Sequence, residues 1–418
     1  MTEGAGLGPN KRWYLERFDP PKEAPFPVEE YRERWSRTRA AMQEAGVDCL
    51  IASTPESMCY LTGYAAEWYQ GNGPRDWVPG SCVALHVDHD EPIQFDDPEE
   101  VTLIRFTSVA SDVRIGPGLG WEMLDFVVGE LAALGWLRGT VGVERRTARP
   151  RPDVAAYLDA ALERAGARVL DATGVARGVR RRKSARELAV VREAQRVADV
   201  GLAAAREAMA PGVTELEVYG EMIRAMAAAG GEVAAIPLPV LSGYRASTVH
   251  GLASRRRIEP GDIVNVDVCG VVARYHANTA RCFSIGEPSP AVREAVAHVT
   301  GAVAVVAEVL RPGLPARELL GTVERYYREV GLLGDEWWIG GYELGIAFPP
   351  DWVGDRFYEL GTDPGEEALL PGDVWNYEAN FYLPEGKGLA LCINTFAVEE
   401  ERAGFLQATP PDLVVIEA

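Results

Sequence analysis

The chain has 418 residues, 47% of them apolar and 25% charged, which is the profile of a globular protein with room for two domains. A net charge of −20 repels phosphate backbones and argues against a nucleic-acid partner. No apolar run reaches the length of a membrane span and MTEGAGLGPNKRW lacks a basic-then-apolar signal pattern, so the expectation is a cytoplasmic protein with no membrane partner.

Residues 1–27 are Pro-rich and aperiodic, which predicts an extended N-terminal arm lying on the surface or on a neighbouring subunit. Residues 28–45 form an amphipathic, charged pattern that predicts a helix stopped by Gly46. Buried strands are expected at 47–52, 81–87 and 140–143, with helices at 121–134 and 152–165. Strands alternating with helices predict an α/β layer domain over 28–171. Within it, the Gly/Pro-rich loop 67–77 carries three aromatics and Arg75, either packed on its own scaffold or forming a recognition surface.

Residues 172–183 read as a basic linker, and its charges, like those of 255–257, as a solvated face. The six cysteines lack CxxC spacing, so they read as small core residues and not as a zinc or disulfide framework. The second domain, 184–418, opens with a helix over 184–209 that has Leu188, Val191, Ala194 and Val197 on one face. An internal repeat follows. Pro211/Pro312, Gly212/Gly313, Glu217/Glu318, Gly220/Gly321, Arg224/Arg325 and Gly230/Gly331 all match at one offset, which predicts two related halves around a shared centre. A cleft between such halves suits a ligand site.

Between the repeats lies IVNVDVCGVVARYHANTARCF, predicting a strand over 263–268, a break at Cys269-Gly270 and a strand over 279–284. Asp267 falls inside a run that should be buried. A carboxylate there is either held by backbone donors or part of a site.

This stretch resembles the strand pair of the pita-bread enzymes: creatinase, Xaa-Pro dipeptidase (prolidase), aminopeptidase P and methionine aminopeptidase. The resemblance covers roughly 182–418 well and the first 171 residues loosely. It implies an α+β chain, with an N-terminal creatinase-like α/β domain and a C-terminal pita-bread domain of internal pseudo-twofold symmetry. In the peptidase branch five positions bind two metals, and in this chain they hold Asp267, Asn278, Tyr342, Glu378 and Asn394. Two hard dications need several carboxylates, so this set implies a site without metal or other cofactor, the alternative being a single weakly held ion on Asp267 and Glu378.

The resemblance also places His250, in STVHG, at the active-site histidine of creatinase, with Glu378 and Asp267 beside it as the remaining catalytic groups. Arg356, after FPPDWVGD, suits capture of a substrate carboxylate or a surface ion pair, and the GY-x-x-G then PPDW pattern is similar to ectoine hydrolase. The second creatinase glutamate is replaced by Ala280, with Glu343 as a candidate substitute across the cleft. Substrate contacts are expected from Arg356, Tyr342, Glu343, Asn278 and Asn394. Arg75, with Trp68 or Tyr69, would come from the partner of a homodimer.

These expectations add up to a metal-independent hydrolase of a non-peptide C–N bond in a small carboxylate-bearing molecule. The alternatives are a metal-dependent Xaa-Pro dipeptidase with altered ligands, a lyase, or a binding protein without turnover.

Overall fold

A computed structural model describes residues 8–66, 77–147 and 149–418. The chain divides into two compact units, Met1–Arg180 and Arg181–Ala418. In the first unit, α1 (Pro9–Arg17) and α2 (Val28–Ala45) precede β1 (Cys49–Ala52), α3 (Pro55–Thr62), β2 (Cys82–His86) and β3 (Ile93–Asp96). There follow α4 (Val101–Thr107), β4 (Asp112–Ile115), α5 (Trp121–Ala133), β5 (Thr140–Val143), α6 (Pro152–Arg164), β6 (Arg168–Asp171) and α7 (Thr173–Arg181). The six strands form one mixed sheet in the order β4-β3-β2-β1-β5-β6. Ile51, Phe95, Val141, Leu131 and Leu162 pack its core, joining strands to α5 and α6.

Two segments differ from the sequence-based expectation. The arm is helical over Pro9–Arg17, with proline in its first turn, where a missing N–H costs nothing. Its last carbonyls are taken by Arg105, whose guanidinium bonds the oxygens of Tyr14 (2.8 Å), Phe18 (2.6 Å) and Leu15. That long-range partner is invisible to local periodicity. The expected linker is instead α7: Asp171 accepts from the Thr173 N–H at 2.9 Å at its start, and Ala172, Ala176 and Val179 bury a thin apolar stripe among the arginines.

The second unit opens with α8 (Ala185–Ala208), whose N-terminus is closed by a reciprocal Ser184/Glu187 capping box. Leu188, Val191, Ala194 and Val197 are its buried face, as the spacing predicts. Next come α9 (Glu215–Ala228), β7 (Val240–Ser242), β8 (Ile263–Val272) and β9 (Tyr275–Ile285). The second half runs through α10 (Pro290–Val309), β10 (Leu314–Pro315), α11 (Ala316–Glu329), β11 (Glu336–Tyr342), β12 (Phe357–Glu359) and β13 (Ala368–Leu369). It ends with β14 (Val374–Tyr382), β15 (Leu389–Val398), β16 (Ala403–Phe405) and β17 (Val414–Ile416).

The large sheet has the order β12-β11-β14-β15-β9-β8-β7, with β16 on β15 and β17 parallel to β9, while β10 and β13 pair separately. Each half supplies a helix pair, α8–α9 or α10–α11, and a long antiparallel pair, β8–β9 or β14–β15. The two long pairs meet at Ile393 and Ala280. The chain is thus α+β, a creatinase-like α/β unit followed by a duplicated pita-bread unit.

The expected break at Cys269-Gly270 does not occur. Strand β8 runs through it to Val272, and the turn falls at Ala273 and Arg274, both with positive φ. Gly270 serves packing: a Cβ there would lie 1.9 Å from the Ala194 carbonyl oxygen, so α8 sits directly on the strand backbone. Among the described residues no helix is long and apolar enough to cross a membrane.

Candidate active site

Strand register builds the floor of the site. Asp267 pairs with Ala280, Ala280 with Ile393, and Ile393 with Glu378, so one row across four strands carries a carboxyl at each end on one face. Asn278 shares that face, two residues before Ala280. Its amide donates to Asp267 Oδ1 at 2.6 Å, while its own oxygen accepts from Tyr342 Oη at 3.2 Å and Asn376 Nδ2 at 3.4 Å. Trp352 Nε1 donates in turn to the Tyr342 oxygen at 3.2 Å. A chain of polar contacts therefore runs Trp352, Tyr342, Asn278, Asp267. Glu378 Oε1 accepts from Asn380 Nδ2 at 2.7 Å.

Burial dominates the electrostatics of this row. It raises Asp267 to about 7, against the opposing effect of the Asn278 hydrogen bond. Glu378 is raised to about 8, by burial first and then by the like charge of Asp267, with Asn380 and Asn376 opposing. Each carboxyl therefore keeps its proton toward the neutral range, Glu378 longer than Asp267, which offers an acid and a base on one face. Burial, then Glu378 and Asp267, push the Tyr342 phenol far up, so it remains a hydrogen-bond donor.

Above this floor lies a cavity of about 520 Å³. Pro237, Pro239, Val249, Trp337, Trp352 and Val353 supply most of its wall, and His250, Asp267, Tyr342, Asp351 and Glu378 its polar groups. The His250 ring stands edge-on to Trp337, centroids 5.4 Å apart. His250, Asp267, Glu378 and Tyr342 are thus gathered on one cavity, with Asn278 just behind.

Other expected site residues lie elsewhere. Asn394 pairs with Tyr377, one register step from Glu378, and so faces the opposite side of the sheet. There its oxygen accepts from Arg281 at 2.8 Å and from Gln407 at 2.5 Å. Glu343 is buried against Lys183 Nζ at 3.3 Å. Arg356 is half-exposed, pairs with Glu367 at 2.5 Å and is absent from the cavity wall. Arg75, Trp68 and Tyr69 lie outside the described residues. The reading from residues missed Trp337, Trp338 and the prolines at 237 and 239; the adjacent tryptophans at the start of β11 were the available signal.

The fold and this geometry agree with what comparison shows. Residues 189–400 match the metallopeptidase family M24 and residues 34–182 the creatinase/prolidase N-terminal domain. The chain belongs to metallopeptidase family M24. It is 26% identical over 400 residues to the probable dipeptidase PepE of Mycobacterium bovis, covering 94% of this chain and 98% of that one. It is 28% identical over 233 residues to the Xaa-Pro dipeptidase of Pyrococcus furiosus, covering 56% of this chain and 64% of that one. The solved Xaa-Pro dipeptidase from Bacillus anthracis has the same fold, with a TM-score of 0.75 at 23% identity over 92% of this chain and all of the other.

These relatives overturn the creatinase-like expectation. PepE, similar over nearly the whole chain, and the Pyrococcus furiosus enzyme, similar over 56% of it, are named for peptide hydrolysis, and the family is one of metallopeptidases, which contradicts both the non-peptide C–N bond and the metal-independent label. The inference failed because amides and a phenol at three positions describe how a site is held, not which bond it breaks.

The donor set itself still does not fit a pair of divalent ions. Two carboxyls stand at the five positions, both biased by burial toward the neutral form, and Asn394 points to the other face. Among the described residues no group of three or more His, Cys, Asp or Glu side chains could hold an ion.

Proposed function

We propose that the chain hydrolyses the peptide bond of a small apolar dipeptide, of the Xaa-Pro kind. The observation that carries this reading is the cavity: its size suits a dipeptide, and its tryptophan and proline walls suit a prolyl ring. The wall puts an imidazole and a carboxyl pair around one space, and peptide hydrolysis needs both a proton acceptor for water and a donor for the leaving nitrogen. In this reading His250 takes the proton of the attacking water. The protonated member of the Asp267/Glu378 pair supplies one to the departing amine; Tyr342 orients Asp267 through Asn278, and Asn380 holds Glu378.

The reading includes a cytoplasmic homodimer, with Arg75 and Trp68 or Tyr69 reaching the partner's cavity. All six cysteines are buried and outside disulfides, which suits a reducing compartment. Light scattering of the purified protein tests the dimer, and Arg75→Ala tests the shared cavity by a raised KM.

The direct test is an assay on Xaa-Pro and non-prolyl dipeptides with the full-length protein, as purified, after chelation, and with manganese, cobalt or zinc added. Release of free proline, lost on His250→Ala, is the expected result. No amino acid released under any of these conditions defeats the reading.

A further inference from the structure

We propose that Glu215 is the positioning residue that fixes the His250-bearing loop against the cavity, a role that rests on His250 acting as the base for water. Glu215 is the first residue of α9 and is fully buried. One carboxylate oxygen accepts from the Ser242 N–H and Ser242 Oγ, both at 2.8 Å. The other accepts from the Ser254 N–H at 2.9 Å, Ser254 Oγ at 2.6 Å and Arg245 Nε at 3.1 Å. Ser242 ends β7 and Ser254 lies beyond the loop tip, so a single carboxylate ties together the two ends of the segment 242–254.

Four residues between those ends line the cavity. Val249, His250, Gly251 and Leu252 form one wall of it, while Val249 also packs into a small core with Ala280, Leu391 and Ile393. Arg245 spans the loop internally, donating to the Leu252 carbonyl at 2.6 Å. The neck is closed a second time by Arg256, which bonds Ser242 Oγ at 2.8 Å and Asp262 at 2.5 Å. Gly243 lies at the same neck with φ +58°, where a Cβ would meet the Arg256 guanidinium at 2.5 Å.

Within the loop, Val249 is anchored in that small core and the Ala246 carbonyl accepts from Asn265 Nδ2 at 3.3 Å, but His250 itself has few holds. His250 is exposed, its N–H reaches Thr248 Oγ1 at 3.3 Å, and its ring rests on Trp337. Its position is therefore set by Val249 beside it and by the neck that fixes both ends of the loop. Five donors converge on Glu215, and an amide in its place would turn one acceptor into a donor facing Ser or Arg hydrogens. The neck would loosen without any change at His250 itself.

The test uses the full-length protein with Glu215→Gln, His250→Ala, the double variant, and Glu217→Gln as a control. Glu217 is an exposed carboxylate on the same helix turn that bonds Thr214 and does not touch the loop. Amide hydrogen exchange is read first because it needs no turnover. Exchange in 243–254 should quicken at least about tenfold in Glu215→Gln, with β8 and β9 unchanged, and stay as in the wild type in Glu217→Gln. Turnover of alanyl-proline should fall about 10- to 100-fold in kcat with KM little changed, and Glu215→Gln should add nothing further in the His250→Ala background.

Unchanged exchange in the loop overturns the clamp, and a full multiplicative loss in the double variant overturns its action through His250. If Glu215→Gln does not fold, the Ser242→Ala/Ser254→Ala pair removes two of the donors and is read in the same way. A silent His250→Ala defeats the catalytic reading, and with it any action of Glu215 on turnover, while exchange still decides whether Glu215 holds the loop.

Discussion

Asn278 is the residue on which the character of the cavity floor turns. Its amide donates to Asp267 and its oxygen collects Tyr342 and Asn376, so it joins the carboxyl to the aromatic side of the site. Asn278→Asp would replace that donor by a like charge. The expected cost is about 1–3 kcal/mol in urea unfolding at pH 7, the usual penalty for an unsatisfied buried group. Added manganese should recover most of the loss in the variant and change the wild type less. Equal responses in the two proteins would contradict this role of Asn278.

Glu378 and Asp267 are expected to matter for turnover and less for folding. Glu378→Gln should lower kcat/KM on a prolyl dipeptide by about 10²- to 10⁴-fold, the range for loss of an acid or base. The like charge acts from Asp267 on Glu378, so Asp267→Asn should lower the apparent pKa of Glu378, seen as an acid shift in the pH–rate profile. A second carboxyl, Asp96 in β3, tests electrostatics away from the site. Burial raises it to about 6, against Ser81, Tyr64 and Asp97 bonds that lower it. The folded chain then holds a proton that the unfolded chain has lost above about 3.9, so this contribution to stability is full below that pH and fades as pH rises to about 6. Asp96→Asn should flatten this pH dependence and raise the unfolding midpoint at pH 7. No change in slope between pH 4 and 6 would refute the assignment.

At the scale of elements, the contact between α8 and β8 decides whether the floor is flat enough to hold its row of side chains. Gly270 lets the helix backbone rest on the strand, and a methyl group there has no free space. Gly270→Ala should cost about 1–3 kcal/mol or more by overpacking, with faster exchange in β8. Gly220→Ala, where a Cβ meets nothing within 4 Å, should be neutral or slightly stabilising by comparison. Thermal unfolding of the two variants checks both signs.

The same contact explains much of what could be read from residues and what could not. Helices with apolar stripes, such as α2 and α8, were legible from spacing, and the end of α2 from Gly46. The turn at Ala273 and Arg274 was not, because Gly270 imitates a break and its real reason is a helix far away in the sequence. Helix α1 depends in the same way on Arg105.

For the whole molecule, the duplication was legible because matched prolines and glycines mark equivalent turns in the two halves. That symmetry brings β8–β9 against β14–β15 and so sets Asp267 and Glu378 in one row. The gathering of Asp267, Glu378, Tyr342 and His250 on one cavity followed from the resemblance. The direction of Asn394 needed the strand register, and the pairing of Arg356 with Glu367 needed the packing of distant segments. The altered ligand positions pointed to a non-peptide bond, and that expectation is the one the relatives overturn.

The measurement that bears most directly on the central claim is identification of the products formed from an Xaa-Pro dipeptide by the full-length protein and its His250→Ala variant. The expected result is stoichiometric release of the N-terminal amino acid and free proline, reduced at least about 100-fold by the substitution. Intact dipeptide under every metal condition, or equal release by both proteins, would contradict it.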